Sequence, residues 1–515
     1  MGPERLWQEK VDNMDRKDRA SSATYAEHNS AMLSDLLRSI GEGRVEGVAY
    51  DTAWIARLTP HYPGYGFDRS IEWLRRHQHA DGTWGSPLLH YHDRFISTLA
   101  AIVALREVGS GWRDERRVKR GEAVLWHLVG KLRRDDSDTI GFPVLSVMLA
   151  QQATDLGLDV PRAPVRFAEP YRRKVQALLQ QPRRSWVNSP LAFSLEGLMP
   201  AVRDDDEVLQ ANQSVGCSPA ATAAYLMRYH NDGALAYLCQ HMSGLENGAT
   251  ADVFPVNIFD TVWTTTYLVE SGLVSVDDVR VRPILDFLWS EWSQEHGIGM
   301  STYFPIPDVD ETAASYVLLK MSGYPVKADP LSNFEMEDHF CCYPGETNPS
   351  VSAHIRLMCA LRLADDHPSQ TAWIEKTVNA LRRFDNNGSY WWDKWHVSPY
   401  YANSVAVQVM DGIDDELAYS RFKWITRTQN DDGGWGYLDV STAEETAYCL
   451  MALIWWDEHK YRVDSDILDA AASYLRQRQD SESFMPLWIG KTLYTPPNPV
   501  RAAVMSAVYK YDIRK

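Results

Sequence analysis

Two stretches near opposite ends of the chain share one pattern. Residues 73–85 read WLRRHQHADGTWG, and residues 424–436 read WITRTQNDDGGWG. Both fit W-x4-Q-x2-D-G-x-W-G, and a looser copy, WSQEHGIGMS, begins at Trp292. The pattern predicts a capped turn between two helices. In this turn Gln and Asp bond free helix-end groups, Gly allows the chain to reverse, and Trp packs over the turn.

Helical periodicity continues through the rest of the sequence. Apolar positions with helical spacing occur at residues 97–107, 220–227, 311–320 and 442–454, whereas alternating β-type runs are few and short. Brief Gly, Pro and Asp breaks separate these segments. Helical hairpins repeated around a ring form an α/α barrel. We therefore predict an all-α fold with two related barrels, because similar turns occur at both ends of the chain.

Chain length, net charge and the lack of long apolar runs exclude several classes of function. The 515 residues allow roughly three domains. There are 52 basic and 69 acidic residues, a net charge of −17, which argues against general nucleic-acid binding. No apolar run reaches the ~18–20 residues of a membrane span, and the charged N-terminal stretch lacks the apolar region of a secretory signal. We expect a soluble cytoplasmic protein.

Cysteine and aromatic content point to a large interior. The six cysteines form no C-x-x-C pair, which disfavours a zinc ribbon or a thioredoxin-like site. The chain has 19 Trp and 25 Tyr. Side chains of this size need surfaces to pack against, so they predict either a very large core or an aromatic-lined cavity.

An acidic cluster opens one predicted helix. Residues 305–313 read PIPDVDETA, so Asp308, Asp310 and Glu311 crowd one helix end after two prolines. One interpretation is a helix cap with acidic first-turn residues that complement the helix dipole. The other is acid catalysis on an alkene. Neighbouring carboxyl groups cannot all ionise, so one of them keeps a proton that it can donate.

Several motifs together resemble a known family. The Q-x3-G-x-W elements resemble the QW motif of squalene–hopene cyclases, oxidosqualene cyclases and class II diterpene cyclases. AYDTAW at residues 49–54 and PDVDETA at residues 307–313 resemble the S-A-Y-D-T-A-W and D-x-D-D-T-A motifs of class II diterpene cyclases. WDKW (392–395) and LWIGKTLY (487–494) resemble two further segments of that family, in the same order. The resemblance covers about residues 45–500 and is greatest to bacterial enzymes of the halimadienyl or copalyl diphosphate synthase type.

The resemblance implies a βγ didomain of two α/α barrels with the substrate cavity between them. On this basis we expect a β domain at residues 1–49 and 276–515, which carries the acid motif. The γ domain is expected at residues 50–275, as an inserted barrel.

The resemblance also implies a reaction. Asp310 would protonate an alkene of a linear prenyl diphosphate, and Asp308 and Glu311 would orient it. Glu311 departs from the family pattern, which usually has Asp there. The product would be a bicyclic diphosphate, because no pair of metal motifs for diphosphate release occurs in the chain. Geranylgeranyl diphosphate (C20) is the first choice of substrate, and farnesyl diphosphate (C15), giving a drimane skeleton, is the alternative.

Other site residues follow from the same resemblance. Lys394, in WDKW, would bind the diphosphate with Arg183 and Arg184, whereas Lys491 and most other lysines are expected at the surface. Phe193 and Asp252 align with a His–Asn pair that ends the reaction in plant relatives, which also makes Asp252 a substrate-binding candidate. Aromatic faces stabilise carbocations, and candidates near the motifs are Trp263, Trp289, Trp292, Tyr303, Tyr390, Trp391 and Tyr400.

An acidic stretch near residue 135 resembles a magnesium-binding segment of plant relatives. Asp135, Asp136 and Asp138 would hold Mg²⁺ on the diphosphate, although an exposed acidic loop is an equally good interpretation. A downstream class I terpene synthase or a phosphatase would then take the product. Two other classes stay open. One is an inverting glycoside hydrolase, which needs a second carboxylate acting on water, and the other is an inactive prenyl-binding module.

Overall fold

The computed structural model describes most of the chain. The described residues are 29–135, 137–162, 165–203, 207–243, 246–346, 348–364, 367–385, 388–438, 440–481 and 483–514.

Helices dominate the described part of the chain. Helix α1 covers residues 29–39. The first helical unit then contains α2 (Ala49–Ala56), α3 (Asp68–Arg76), α4 (Tyr91–Val108), α5 (Gly111–Val129), α6 (Phe142–Asp155), α7 (Val165–Gln180), α8 (Pro219–Leu226) and α9 (Asp232–Ser243). Short 3₁₀ segments lie at Leu132–Arg134, Arg183–Asn188, Pro190–Ala201 and Glu246–Gly248.

The second unit is larger. It contains α10 (Asn257–Glu270), α11 (Arg282–Glu291), α12 (Val309–Met321), α13 (Val351–Leu361), α14 (Gln370–Phe384), α15 (Tyr400–Val409), α16 (Asp415–Arg427), α17 (Ala443–His459), α18 (Ser465–Arg476) and α19 (Pro497–Arg514), with a 3₁₀ segment at Asp329–Phe334. None of the described helices combines the length and the apolar character that crossing a membrane requires.

Both units are closed rings of inner helices with outer helices around them. In the first unit α2, α4, α6, the segment Pro190–Ala201 and α8 pack in succession, and α8 returns to α2. In the second unit α10, α12, α13, α15, α17 and α19 close a ring in the same way. The inner helices are buried on almost every side, whereas outer helices such as α5 and α16 bury one stripe. The predicted all-α fold of two barrels is confirmed.

The first barrel is inserted into the second. Strands β1 (Gly47–Val48) and β2 (Thr250–Ala251) pair antiparallel, so the chain enters and leaves the first barrel side by side. Apolar residues of α1 and α10 belong to the core of the second barrel. The sequence analysis ended the inserted domain at residue 275. The structure instead places α10 in the second barrel, because its apolar side chains pack against α12 and α19.

A short hairpin joins the two barrels near the cavity described below. Strands β3 (Trp488–Ile489) and β4 (Leu493–Tyr494) pair antiparallel. Leu88 of the first barrel packs against Leu487, Ile489 and Leu493 of this hairpin region.

The repeated turns have one hydrogen-bond pattern. The indole N–H of Trp84 donates to the carbonyl of Leu74 at 2.8 Å, and that of Trp435 donates to Ile425 at 2.9 Å. Each acceptor carbonyl lies in the last turn of the preceding outer helix. The end of that helix is therefore bonded by Trp, whereas we expected Gln and Asp to bond it. The backbone N–H of each Trp donates to a Thr hydroxyl of the next inner helix.

The repeat Gln bonds elsewhere. Gln78 Nε2 donates to the carbonyls of Gly82 and Arg117, and Gln429 Nε2 donates to those of Gly433 and Ile467. In both barrels Gln therefore connects its own turn to the neighbouring outer helix. Asp81 and Asp432 accept from backbone N–H groups inside the turn.

Candidate active site

A cavity of about 760 Å³ lies between the two barrels. This is a usual size for a small-molecule site. The first barrel contributes residues from segments 137–144 and 190–198, and the second contributes residues from segments 252–263, 300–311, 342–352, 392–401 and 488–494.

The acid motif lies at the cavity wall, where α12 begins. Asp308 is the N-cap of α12, and its Oδ1 accepts the backbone N–H of Glu311 at 2.8 Å. The indole N–H of Trp263 donates to Glu311 Oε1 at 3.2 Å. Asp310 faces the cavity, and its Oδ1 has no hydrogen-bond partner among the described residues. The two interpretations of the acidic cluster are therefore compatible. Asp308 caps the helix through the backbone N–H of Glu311, and this bond fixes the two acidic residues on either side of Asp310.

The surroundings of Asp310 favour its protonated form. Burial raises the pKa of Asp310 well above its ordinary value, and the charges of Glu311 and Asp393 act in the same direction. Arg356 and Lys394 act in the opposite direction. Burial and the charge of Glu311 also raise the pKa of Asp308. A carboxyl group in such a site keeps its proton near neutral pH and can donate it.

Two charged residues near the acid were missed in the sequence. Arg356 is almost fully buried, lies 4.7 Å from the centre of the Trp263 ring, and pairs with Glu270 at 3.7 Å. The sequence feature that could have revealed Arg356 is a single arginine in the largely apolar helix α13, because a buried guanidinium needs a charged or polar partner.

Asp393 is the second. It accepts from the Ser350 hydroxyl, from the N–H and hydroxyl of Ser352, and from the N–H of Trp395, at 2.8–3.1 Å. These bonds fix the WDKW segment to the start of α13.

Lys394, the residue expected to bind the diphosphate, lines the cavity. Its Nζ donates to Glu346 Oε1 and to the carbonyl of Asn348, each at 2.6 Å, and lies 4.6 Å from the ring centre of Trp395. Burial lowers the pKa of this ammonium, but Cys342 and Glu346 outweigh burial and raise it overall. Lys394 is therefore a cation already paired with Glu346, and an anionic substrate would compete for it.

The predicted companions of Lys394 are placed differently. Arg183 donates to the carbonyl of Ala201 at 3.1 Å and stacks over Trp186 at 5.0 Å, and both of these partners belong to the first barrel. The side chain of Arg184 lies outside the described residues.

Asp252 lies at the cavity in a buried ionic cluster. Its Oδ2 accepts the N–H of Lys491 at 3.0 Å, and its carboxyl group shares a hydrogen bond with the carboxyl group of Asp51. Lys491 is fully buried and pairs with Glu196 Oε1 at 2.8 Å, so the expectation of a surface position for it was wrong. Asp51 accepts the N–H of Ala220 close by. Burial raises the pKa of Asp252 to about 6.

Most of the nominated aromatic residues lie away from the cavity. Trp263 lines it. Trp391 instead donates its indole N–H to Leu381, as the repeat tryptophans do, and Tyr390 and Tyr400 stack on Trp424. Trp289 packs against Tyr324, Trp292 bonds Gln294, and Tyr303 is exposed.

The remaining aromatic wall was missed. It consists of Phe193, Phe259, Phe304, Tyr343, Trp392, Trp395, Tyr401, Trp488 and Tyr494. Sequence alone did not separate aromatics of the wall from those of the turns, because both uses select the same residue types.

The acidic stretch divides into two parts. Asp135 Oδ2 accepts the backbone N–H of His92 and lies 2.8 Å from Nδ1 of the same residue. It also lies 3.5 Å from Nδ1 of His90. Asp138 Oδ1 lies 2.9 Å from Nε2 of His92, and Asp138 lines the cavity. Asp136 lies outside the described residues. Only Asp138 of the described pair therefore reaches the cavity. His90, His92 and Asp135 form a group that could hold a metal.

Known proteins were compared with the chain. No protein-family model matches it. It is 31% identical over 499 residues to type B diterpene cyclase of Mycobacterium tuberculosis, a match that covers 92% of this chain and 97% of that protein. It is also 31% identical over 491 residues to ent-copalyl diphosphate synthase of a Streptomyces species, covering 89% and 91%. The solved structure of ent-copalyl diphosphate synthase from Streptomyces platensis has the same fold, with a TM-score of 0.79 at 24% identity, over 94% of this chain and 99% of that one.

Fold and site define a helical-barrel terpene cyclase with a carboxylic acid at an aromatic cavity. The relatives cover nearly the whole sequence, and the chain belongs to the class II diterpene cyclases. The glycoside hydrolase and the inactive prenyl-binding module are therefore set aside.

Proposed function

We propose that the protein converts a linear prenyl diphosphate into a bicyclic prenyl diphosphate, with geranylgeranyl diphosphate as substrate and farnesyl diphosphate as the alternative. The observation that carries this proposal is Asp310, a carboxyl group whose raised pKa favours the acid form and which faces an aromatic cavity. Relatives named ent-copalyl diphosphate synthase support the C20 choice.

The first step is proton transfer from Asp310 to the terminal alkene. The O–H bond breaks, a C–H bond forms, and a tertiary carbocation results. Internal alkenes then attack in turn to close two rings. Trp263 holds Glu311, and Asp308 holds the backbone of the same turn, so the residues on either side of the donor are fixed. The aromatic wall stabilises the cation and excludes water.

Asp252 is proposed to receive the final proton. It lines the cavity, and although burial raises its pKa, Lys491 and the hydrogen bond with Asp51 favour its ionised form. The C–H bond beside the last cation then breaks and an alkene forms. On the proposed alignment of Phe193 with the histidine of plant relatives, no imidazole is available from that position.

The diphosphate is proposed to lie against Lys394, with Mg²⁺ held by Asp138 and Asp136. Both carboxyl groups contact His92, but Asp138 fits this role because it is half-exposed and lines the cavity, whereas the side chain of Asp135 is buried and does not line it. Magnesium is usually held by one or two carboxylates together with phosphate oxygens, and it would neutralise diphosphate charge here. The diphosphate is retained, so a class I terpene synthase or a phosphatase could use the product.

The test is incubation of the protein with C15 and C20 diphosphates and Mg²⁺, followed by phosphatase treatment and mass spectrometry of the alcohols. We expect a bicyclic C20 product, whereas a C15 product alone would favour the alternative substrate. Asp310→Asn should abolish cyclisation and leave the fold intact, because an amide cannot donate this proton. Asp329→Asn, at an exposed helix start, is the matched control. Turnover of Asp310→Asn within about tenfold of wild type would remove Asp310 from this role.

A further inference from the structure

A buried carboxylate lies directly behind the aromatic wall. Glu444 is only 1% exposed and lies in the first turn of α17. Its Oε1 accepts from the indole N–H of Trp488 at 2.8 Å and from the Tyr448 hydroxyl at 2.8 Å. The imidazole Nε2 of His396 lies 3.2 Å from the same oxygen. Trp488 lines the cavity, so this carboxylate is bonded to the back of a cavity wall.

The bonds fix two cavity rings, those of Trp488 and Tyr401. Trp488 packs edge-to-face against Phe259 at 5.1 Å and lies 5.0 Å from Tyr401. His396 stacks on Tyr401 at 4.9 Å. Tyr401 and Asp310 both line the cavity.

The donor pattern is that of an ionised carboxylate. Nδ1 of His396 lies 3.1 Å from the N–H of Ser398 and 3.2 Å from the carbonyl of the same residue. We assign Nδ1 as the acceptor of this N–H, which puts the imidazole proton on Nε2, facing Glu444. The indole N–H of Trp488 can only donate a hydrogen bond. Three donors thus converge on a single acceptor oxygen.

Helix capping does not account for Glu444. Its neighbour Glu445 performs that role with Thr442, since the N–H of Glu445 donates to the Thr442 hydroxyl and this hydroxyl donates to Glu445 Oε2 at 2.7 Å. Glu445 Oε1 accepts the N–H of Tyr437. Glu444 therefore bears the cost of burying a charge without a capping role, and its contacts all lead to the aromatic wall.

We propose that Glu444 is a positioning residue that makes the cavity face of Trp488 more negative and so stabilises the carbocation during ring closure. A cation over an aromatic face is held by the electron density of the ring. An indole that donates its N–H to an anion is richer in electrons, and the charge of the anion acts strongly in a water-poor interior. The inference rests on the proposed cyclisation.

The test compares two substrate analogues. One is a C20 diphosphate with an ammonium nitrogen in place of the carbon that becomes cationic, and the other is its neutral, saturated counterpart. The ratio of their dissociation constants measures stabilisation of the cation separately from binding of the diphosphate. We expect Glu444→Gln to weaken the preference for the ammonium analogue roughly fivefold. This is less than the roughly thirtyfold of a whole desolvated cation–π contact, because the Trp488 ring itself remains. Glu444→Asp, which keeps the charge, should weaken it less.

Glu445→Gln is the matched control, because it is buried in the same helical turn and is expected to leave the preference unchanged. An equal loss in Glu445→Gln, an unchanged preference in Glu444→Gln, or an effect of Glu444→Gln that persists in a Trp488→Phe background would overturn the proposal. If Glu444→Gln does not fold, the pair Glu444→Asp and Glu445→Asp replaces it, and equal preferences in that pair overturn the proposal. Failure of the wild type to bind the neutral analogue or to cyclise substrate would instead contradict the proposed function.

Discussion

At the scale of single residues, the acidity of Asp310 depends on where α12 begins. Asp308 caps the helix, which brings Glu311 to the same end and leaves Asp310 between two carboxyl groups. Glu311, in place of the usual Asp, reaches the indole N–H of Trp263 at 3.2 Å. The departure from the family pattern thus has a structural partner, and the donor itself is unchanged.

Lys394→Ala should raise KM for the prenyl diphosphate about ten- to hundredfold, because it removes a charge-assisted contact worth roughly 1.5–3 kcal/mol. Product stereochemistry should change little. The measurement is steady-state kinetics with and without EDTA, since one lysine does not neutralise a diphosphate and turnover should need Mg²⁺.

Lys376→Ala is the control for this experiment. Lys376 pairs with Glu335 much as Lys394 pairs with Glu346, but it lies outside the cavity wall of the described residues. An unchanged KM in Lys394→Ala, with EDTA leaving wild-type turnover intact, would place the diphosphate elsewhere.

Local sequence singled out Asp310 and Lys394, both of which line the cavity, but not their surroundings. Asp310 and Lys394 lie in contiguous motifs whose spacing carries information. Arg356 and Glu444 meet the site only through the closed ring of inner helices, and their local sequence resembles any buried helix. Trp488 lies in a recognised motif, but only the β3–β4 hairpin brings its ring to the cavity and to Glu444. The burial of Lys491 is equally invisible locally, because Glu196 lies far away in the chain.

At the scale of elements, the repeated turn is a joint between two outer helices. Trp bonds the preceding helix, and Gln bonds the following one. A further copy was not predicted. Trp391 donates to Leu381 like the other repeat tryptophans, but Asp385 replaces the Gln and pairs with Arg421 at 2.8 Å. The geometry persists although the motif letters change.

Gln429→Ala should lower the free energy of unfolding by about 1–3 kcal/mol, because it leaves the carbonyls of Gly433 and Ile467 without this donor. Urea unfolding followed by circular dichroism measures the change. Gln151→Ala, on the exposed side of α6, is the control and should have little effect. Equal unfolding midpoints for the two variants would show that the joint does not support the second barrel.

At the scale of the whole molecule, an ionic cluster joins the inserted barrel to its host. Asp51 and Glu196 come from the first barrel, Asp252 follows the returning strand β2, and Lys491 lies in the turn between β3 and β4. The two-barrel architecture was predictable from the repeats. The exit point was not, because α10 is apolar enough for either core, and only its packing shows which it joins.

Lys491→Met should destabilise the protein by about 3–5 kcal/mol at pH 7.5, since it leaves buried carboxylates without their cation. Burial raises the pKa of Asp51 and of Asp252, and Lys491 opposes both shifts. A raised pKa means that the folded state binds more protons than the unfolded state, so stability falls as pH rises from about 4 through the folded pKa. Removal of Lys491 raises these pKa values further, so lowering the pH to about 5 should restore part of the loss.

Thermal unfolding at the two pH values measures this effect. Lys460→Met is the control, because Lys460 pairs with Asp411 at the surface. A variant that is no more stable at the lower pH, relative to wild type, would show that the cluster does not hold these protons.

The most direct test of protonation-initiated cyclisation is the reaction of the wild-type protein with geranylgeranyl diphosphate in D₂O. Asp310 exchanges its proton with solvent and delivers deuterium to carbon, while a different hydrogen is lost at the end of the reaction. The account predicts a bicyclic product that carries one carbon-bound deuterium and still bears its diphosphate, seen by mass spectrometry before and after phosphatase treatment. A cyclic product without deuterium, or one released as a hydrocarbon with free diphosphate, would contradict it.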